Sequence, residues 1–75
     1  MIYIQDCYRV EAFGGYRLAA CKLTDTLVQV KMYDLGAVRF PLVWSTYLTR
    51  EQAQAAFELF QVIGYFEKPI HTEEA

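Results

Sequence analysis

The sequence predicts an α+β fold: an antiparallel β-meander of three to four strands, with one amphipathic C-terminal helix packed on one face. Three observations predict it. Apolar runs rich in Ile, Val, Tyr and Phe alternate with turn residues through the first half of the chain. Two turns, placed independently, agree on one apolar face. The stretch TREQAQAAFELFQVIG, Thr49 to Gly64, reads as a helix with both ends specified.

The first strand is expected over residues 2–13. Gly14-Gly15 then supplies the positive φ angles of a two-residue hairpin turn. The second strand falls at about 16–24, and Asp25-Thr26 marks the next reversal without a glycine. The third covers about 27–34. A three-residue loop, Leu35 to Ala37, leads to a fourth at about 38–44, placed at an edge because Pro41 has no N–H to donate. Ser45-Thr46-Tyr47 then links the sheet to the helix.

Opposed residues in an antiparallel pair share a face. The glycine turn sets Val10 against Ala19 and Tyr8 against Cys21. The second turn sets Cys21 against Val30 and Leu23 against Val28. One face then carries Ile4, Tyr8, Val10, Ala19, Cys21, Leu23, Val28, Val30 and Met32, joined by Val38, Phe40, Leu42 and Trp44. The helix, about 50–63, lays Ala53, Ala56, Phe57, Phe60 and Ile63 on this face. Thr49 and Gln52 have the spacing of a capping box, and Gly64 suits the C-terminal end, with a Phe60–Tyr65 contact expected there. Residues 65–75 read as an extended tail.

The 75 residues make one domain, 55% hydrophobic and 16% aromatic, more than one small core easily hides, so some aromatics belong on the surface. No apolar run reaches the roughly 18 residues of a membrane span, and MIYIQDCYRV is no signal peptide; a cytoplasmic location is expected. Residues 1–47 hold five cations against four carboxylates; residues 48–75 hold two against five.

No catalytic or cofactor motif stands out, and a non-enzyme is expected. His71, the only histidine, sits in the tail. One His and two Cys without C-x-x-C or H-x-x-x-H make no zinc site. In the predicted register Cys7 opposes Lys22 and points away from Cys21, which argues against a disulfide.

Two surfaces remain as candidate binding sites. The sheet face away from the helix mixes Tyr3, Arg9, Tyr16, Lys22, Lys31, Tyr33 and Arg39, and Tyr and Arg are favoured at interface hot spots. The outer helix face with the tail carries Glu51, Gln54, Glu58 and Glu67, an alternative acidic surface. The acidic balance argues against nucleic acid as the partner. A protein partner or a second copy of the chain fits better.

The size, the meander-then-helix order, the TREQAQAAFELF helix and the absence of a catalytic motif together resemble the small inhibitors encoded by phages and mobile elements, the anti-CRISPR proteins in particular. Those proteins share no common motif, so the resemblance assigns no residue. It implies a stoichiometric inhibitor in the host cytoplasm that binds a Cas effector complex and blocks DNA recruitment or cleavage. A nucleic-acid-binding module on the Tyr/Arg/Lys face and a dimerising structural domain are the other classes.

Overall fold

Gly14 and Gly15 have φ angles of 62° and 84°, the left-handed values that a tight hairpin requires. They join strand β1 (Cys7–Phe13) to β2 (Tyr16–Lys22). The computed structural model describes residues 7–69. Strand β3 (Leu27–Asp34), strand β4 (Leu42–Thr49) and helix α1 (Arg50–Ile63) complete it. The sheet is an antiparallel meander in the order β1-β2-β3-β4. The expected α+β fold is therefore present, with α1 touching all four strands.

Helix α1 begins as its sequence dictates. The Gln52 N–H donates to Thr49 Oγ1 at 3.2 Å, and the Thr49 N–H donates to Gln52 Oε1 at 3.0 Å, so each side-chain oxygen accepts from the other residue's otherwise unpartnered backbone N–H. Ala53, Ala56, Phe57 and Phe60 are buried, and burying each Phe contributes roughly 1.5–3 kcal/mol. Ile63 is not part of the stripe; it lies at the last helical position and is 53% exposed. Gly64 ends the helix at φ 77°, and its N–H donates to the Phe60 carbonyl at 2.8 Å. The expected Phe60–Tyr65 contact is replaced by two others. Phe60 meets the edge of Phe13, with ring centroids 6.2 Å apart, and Tyr65 packs on Tyr16 at 5.0 Å.

The register departs from expectation at the second turn. Lys22, not Leu23, opposes Val28; Ala20 opposes Val30 and Leu18 opposes Met32. The connection is four residues, 23–26, held by Thr24: its Oγ1 accepts from the N–H groups of Thr26 at 3.2 Å and Leu27 at 3.0 Å. Asp25-Thr26 lacks the glycine that a two-residue turn favours, and a side-chain-stabilised turn forms instead. One residue of slip exchanges the faces of β2. Leu18 and Ala20 enter the core, and Leu23 becomes exposed. Ala19 is buried, but on the opposite face, between Val10 and Lys31.

The exchange carries through to β1. The Phe13↔Tyr16 hairpin register is as expected, but it now brings Phe13, Glu11 and Arg9 to the helix side, opposite Tyr16, Leu18 and Ala20. Val10, expected in the core, is 48% exposed. A bulge between Cys7 and Arg9 sets Cys7 opposite Cys21. Cys21 is half-buried and disulfide-bonded, and no free cysteine is present among the described residues. The expectation against a disulfide is thus overturned. It assumed an unbroken ladder, which would have set Tyr8 against Cys21.

The fourth strand also moves. It spans 42–49 and runs directly into the helix, absorbing the Ser45-Thr46-Tyr47 stretch expected to be a linker. Residues 35–41 form the connection. An Asp34 turn opens it, with the Gly36 N–H donating to Asp34 Oδ1 at 2.9 Å, and the Asp34 N–H donates to the Pro41 carbonyl at 2.7 Å to close it. Val38 and Phe40, expected in the core, are 94% and 83% exposed. Trp44 does face the helix side, as expected. Its Nε1 donates to the Phe66 carbonyl at 3.0 Å and its ring packs on Phe66 at 5.6 Å, which anchors the start of the C-terminal segment.

Candidate functional site

The shifted register sorts the predicted surface residues into three groups. Arg9, Tyr16 and Lys22 lie on the helix side of the sheet, not the open side. Arg9 stacks its guanidinium over the Phe57 ring at 4.5 Å and binds Glu11 at 3.0 Å. Glu11 in turn accepts a hydrogen bond from the Gln61 side chain. That bond, then the bond from Arg9, hold the Glu11 carboxyl below its ordinary range against an opposing effect of desolvation, with the Arg9 charge adding least. Tyr16 is half-buried against Tyr65. Lys22 is exposed and lies 3.7 Å from Asp25. Arg9 and Tyr16 brace the fold through these contacts.

Lys31 and Tyr33 are on the open side, as expected, and the Arg17 guanidinium stacks on the Tyr33 ring at 4.9 Å. Gln29 and Ser45 bridge β3 and β4 beside them with a 3.1 Å hydrogen bond, and Tyr47 stands exposed opposite Gln29. Arg39 is exposed on the 35–41 connection between Val38 and Phe40. Tyr3 lies outside the described residues, as does His71.

Glu51, Gln54, Glu58 and Glu67 are all exposed, but they do not form one surface. Gln54 hydrogen-bonds Glu58 at 3.3 Å. It also lines a cleft of about 180 Å³ with Tyr8, Arg9 and Arg50, so guanidinium groups adjoin that acidic stretch. Glu67 lines a separate groove of about 330 Å³, mostly apolar, with Ala55, Leu59, Phe66 and Pro69. Among the described residues no three His, Cys, Asp or Glu side chains group closely enough to hold a metal ion. No helix among them is long and apolar enough to cross a membrane.

An unassigned feature is the apolar end of the sheet. Leu35, Val38, Phe40, Leu42 and Val43 are all exposed there, and the Leu35 N–H donates to the Gly15 carbonyl at 2.9 Å, which ties the connection to the first hairpin. Phe13, itself 46% exposed, lies beside that hairpin. Arg39 lies between Val38 and Phe40 on the connection, and Arg17 and Lys31 stand on the open face of β2 and β3. Several exposed apolar side chains on one short connection and the strand start beside it have the make-up of an interface core. Sequence reasoning missed it by extending the alternating pattern through Pro41. The Asp34-x-Gly36 turn signal was the available clue that the strand had already ended.

Comparison of the chain with protein-family models, with curated proteins and with solved structures returns no match.

Proposed function

We propose that the chain is a non-catalytic protein-binding inhibitor of the anti-CRISPR kind, which occupies a Cas effector complex or a similar nucleic-acid-processing machine and blocks DNA recruitment or cleavage. The observation that carries the binding role is the exposed apolar connection, with Val38 and Phe40 almost wholly in solvent. Monomeric proteins rarely leave such side chains uncovered in one patch. The partner this patch fits presents an apolar pocket with acidic groups around it, to meet Arg39, Arg17 and Lys31. The class of machine rests on the likeness in size, element order and lack of a catalytic motif.

Nucleic acid is a poorer fit for the same region. Arg9 and Lys22 engage carboxylates on the helix side, which leaves Arg17 and Lys31 as the cations of β2 and β3 on the open face. A groove that tracks phosphates needs more.

The test pairs the parent chain with Val38→Asp/Phe40→Asp. Each is immobilised against lysate from a CRISPR-bearing bacterium, and the captured effector is assayed for cleavage of its target DNA. The parent should retain the effector and suppress cleavage stoichiometrically. The double variant should bind roughly 30-fold more weakly or worse, the size of a lost hot spot. If the parent retains no effector, or if cleavage proceeds at the normal rate with the effector bound, the inhibitor reading fails. Retention on DNA alone at low salt, lost at moderate salt, would replace it with the nucleic-acid reading.

A further inference from the structure

The two outer strands of the sheet are built differently. Strand β1, CYRVEAF, is bulged at Tyr8 and carries Arg9 and Glu11 on its inward face, both devices that discourage a further strand from pairing. Strand β4, LVWSTYLT, has none of them over most of its length. It contains no charged residue, no proline and no glycine. Its one irregularity lies at Val43, near one end, and leaves Trp44 to Thr49 in regular pairing with β3. Among the described residues, no hydrogen bond from outside the sheet reaches the backbone of Trp44 to Leu48.

We infer that β4 is the contact between two copies of this chain, paired antiparallel about Thr46 to make one continuous eight-stranded sheet. The strand is self-complementary in that register. A two-fold axis normal to the sheet keeps both helices on one side and sets Trp44 opposite Leu48 of the second copy, Ser45 opposite Tyr47, and Thr46 opposite itself. Apolar meets apolar on the helix side, uncharged polar meets aromatic on the open side, and no like charges oppose each other. Thr46 is the residue that fits the axis best. It is buried to 5% exposure, and among the described residues its hydroxyl has no hydrogen-bond partner. Two such hydroxyls side by side across the axis can supply one another.

The surroundings agree. The apolar groove of Ala55, Leu59, Phe66 and Pro69 lies on the β4 flank, because Phe66, which lines it, packs on Trp44. The flank beside β1 instead carries Arg9, Glu11, Gln54 and Gln61. The flank that leaves its edge open therefore also presents an apolar groove to cover.

Sedimentation of the full chain over the micromolar range, with Ser45→Glu/Tyr47→Glu as the variant, tests the pairing. Within one chain the carboxylate introduced at position 45 would face Lys31, so the variant keeps a compatible monomer. Across the axis the carboxylate at position 45 of each copy would face the one at position 47 of the other, two like-charged pairs in all. The parent should sediment as two chains and the variant as one, with the dissociation constant raised roughly tenfold or more. Hydrogen exchange on the parent is the second readout: every amide from Trp44 to Leu48 should be protected, not alternate ones. A parent that stays monomeric with alternate amides open overturns the proposal and leaves the edge to a foreign strand. A dimer that survives in a folded variant assigns the contact to another surface and also overturns it. If the variant fails to fold, the exchange pattern of the parent decides.

Discussion

The β1 side of the sheet and the β3–β4 end answer the same problem, apolar surface in a small domain, in opposite ways. On the β1 side guanidinium groups lie over the Phe57 and Tyr8 rings. Phe57 lies beneath the Arg9 guanidinium, Arg9 is held by Glu11, Glu11 by Gln61, and the Arg50 guanidinium stacks on Tyr8 at 5.3 Å. At the β3–β4 end, Val38 and Phe40 project into solvent from a connection that is fixed by backbone bonds at Asp34, Leu35 and Pro41. Side chains that stabilise the chain are hidden behind charge on one side; side chains free to engage a partner stand on a firm loop on the other. Stability and binding should therefore separate cleanly by mutation.

The largest expected effect tests the stabilising side. Phe57→Ala removes a fully buried ring and the platform under Arg9, and should cost about 3–5 kcal/mol, read as a lowered denaturant midpoint. Phe40→Ser, at the other end, should move stability by no more than about 0.5 kcal/mol while weakening partner binding. Equal losses from the two would abolish the contrast.

Next comes the disulfide of Cys21. Reducing the Cys21 disulfide should lower stability by about 2–4 kcal/mol, seen as a drop in Tm with reductant. The β3–β4 end, which holds no such tie, should keep its partner affinity wherever the reduced chain is still folded.

Gly64→Ala is smaller. The left-handed φ of 77° disfavours a side chain, and the added Cβ would come within 3.1 Å of the Phe13 ring. A loss of about 1–2 kcal/mol is expected in thermal unfolding.

The smallest effect is acid sensitivity on the β1 side. Glu11 has its folded-state pKa depressed by Gln61 and Arg9 below the ordinary 4.5. Its contribution is present above the unfolded value and is lost as pH falls through the folded one. Acid unfolding followed from pH 5 downward should therefore be shallower in Glu11→Gln than in the parent, about as the linkage slope requires. An unchanged acid slope would remove Glu11 from the account.

How much of this was legible in the chain differs by element. Thr49, Gln52 and Gly64 specify the helix ends through bonds to their own neighbours, and the capping box formed as read. Gly14-Gly15 specify the first hairpin for the same reason, since only their φ angles are needed. The candidate site was legible only in fragments. Lys31, Tyr33 and Arg39 lie away from the helix as their pattern implies, but Arg9, Tyr16 and Lys22 face the helix side, and Val38 and Phe40 stand in solvent, against theirs.

The sequence by itself determined the order of elements, the first turn and the capped helix with its Ala53, Ala56, Phe57, Phe60 stripe, because each depends on residues a few positions apart. Only the tertiary structure decided which face of β1 and β2 looks inward. At period two a single residue in the second turn or the bulge reverses every side chain downstream, and both alternatives offered the helix apolar residues. What separates them is packing across the sheet: Leu18 and Ala20 fit beneath Phe57 and Phe60, and Arg9 is accepted at the rim because an aromatic face and Glu11 meet it there.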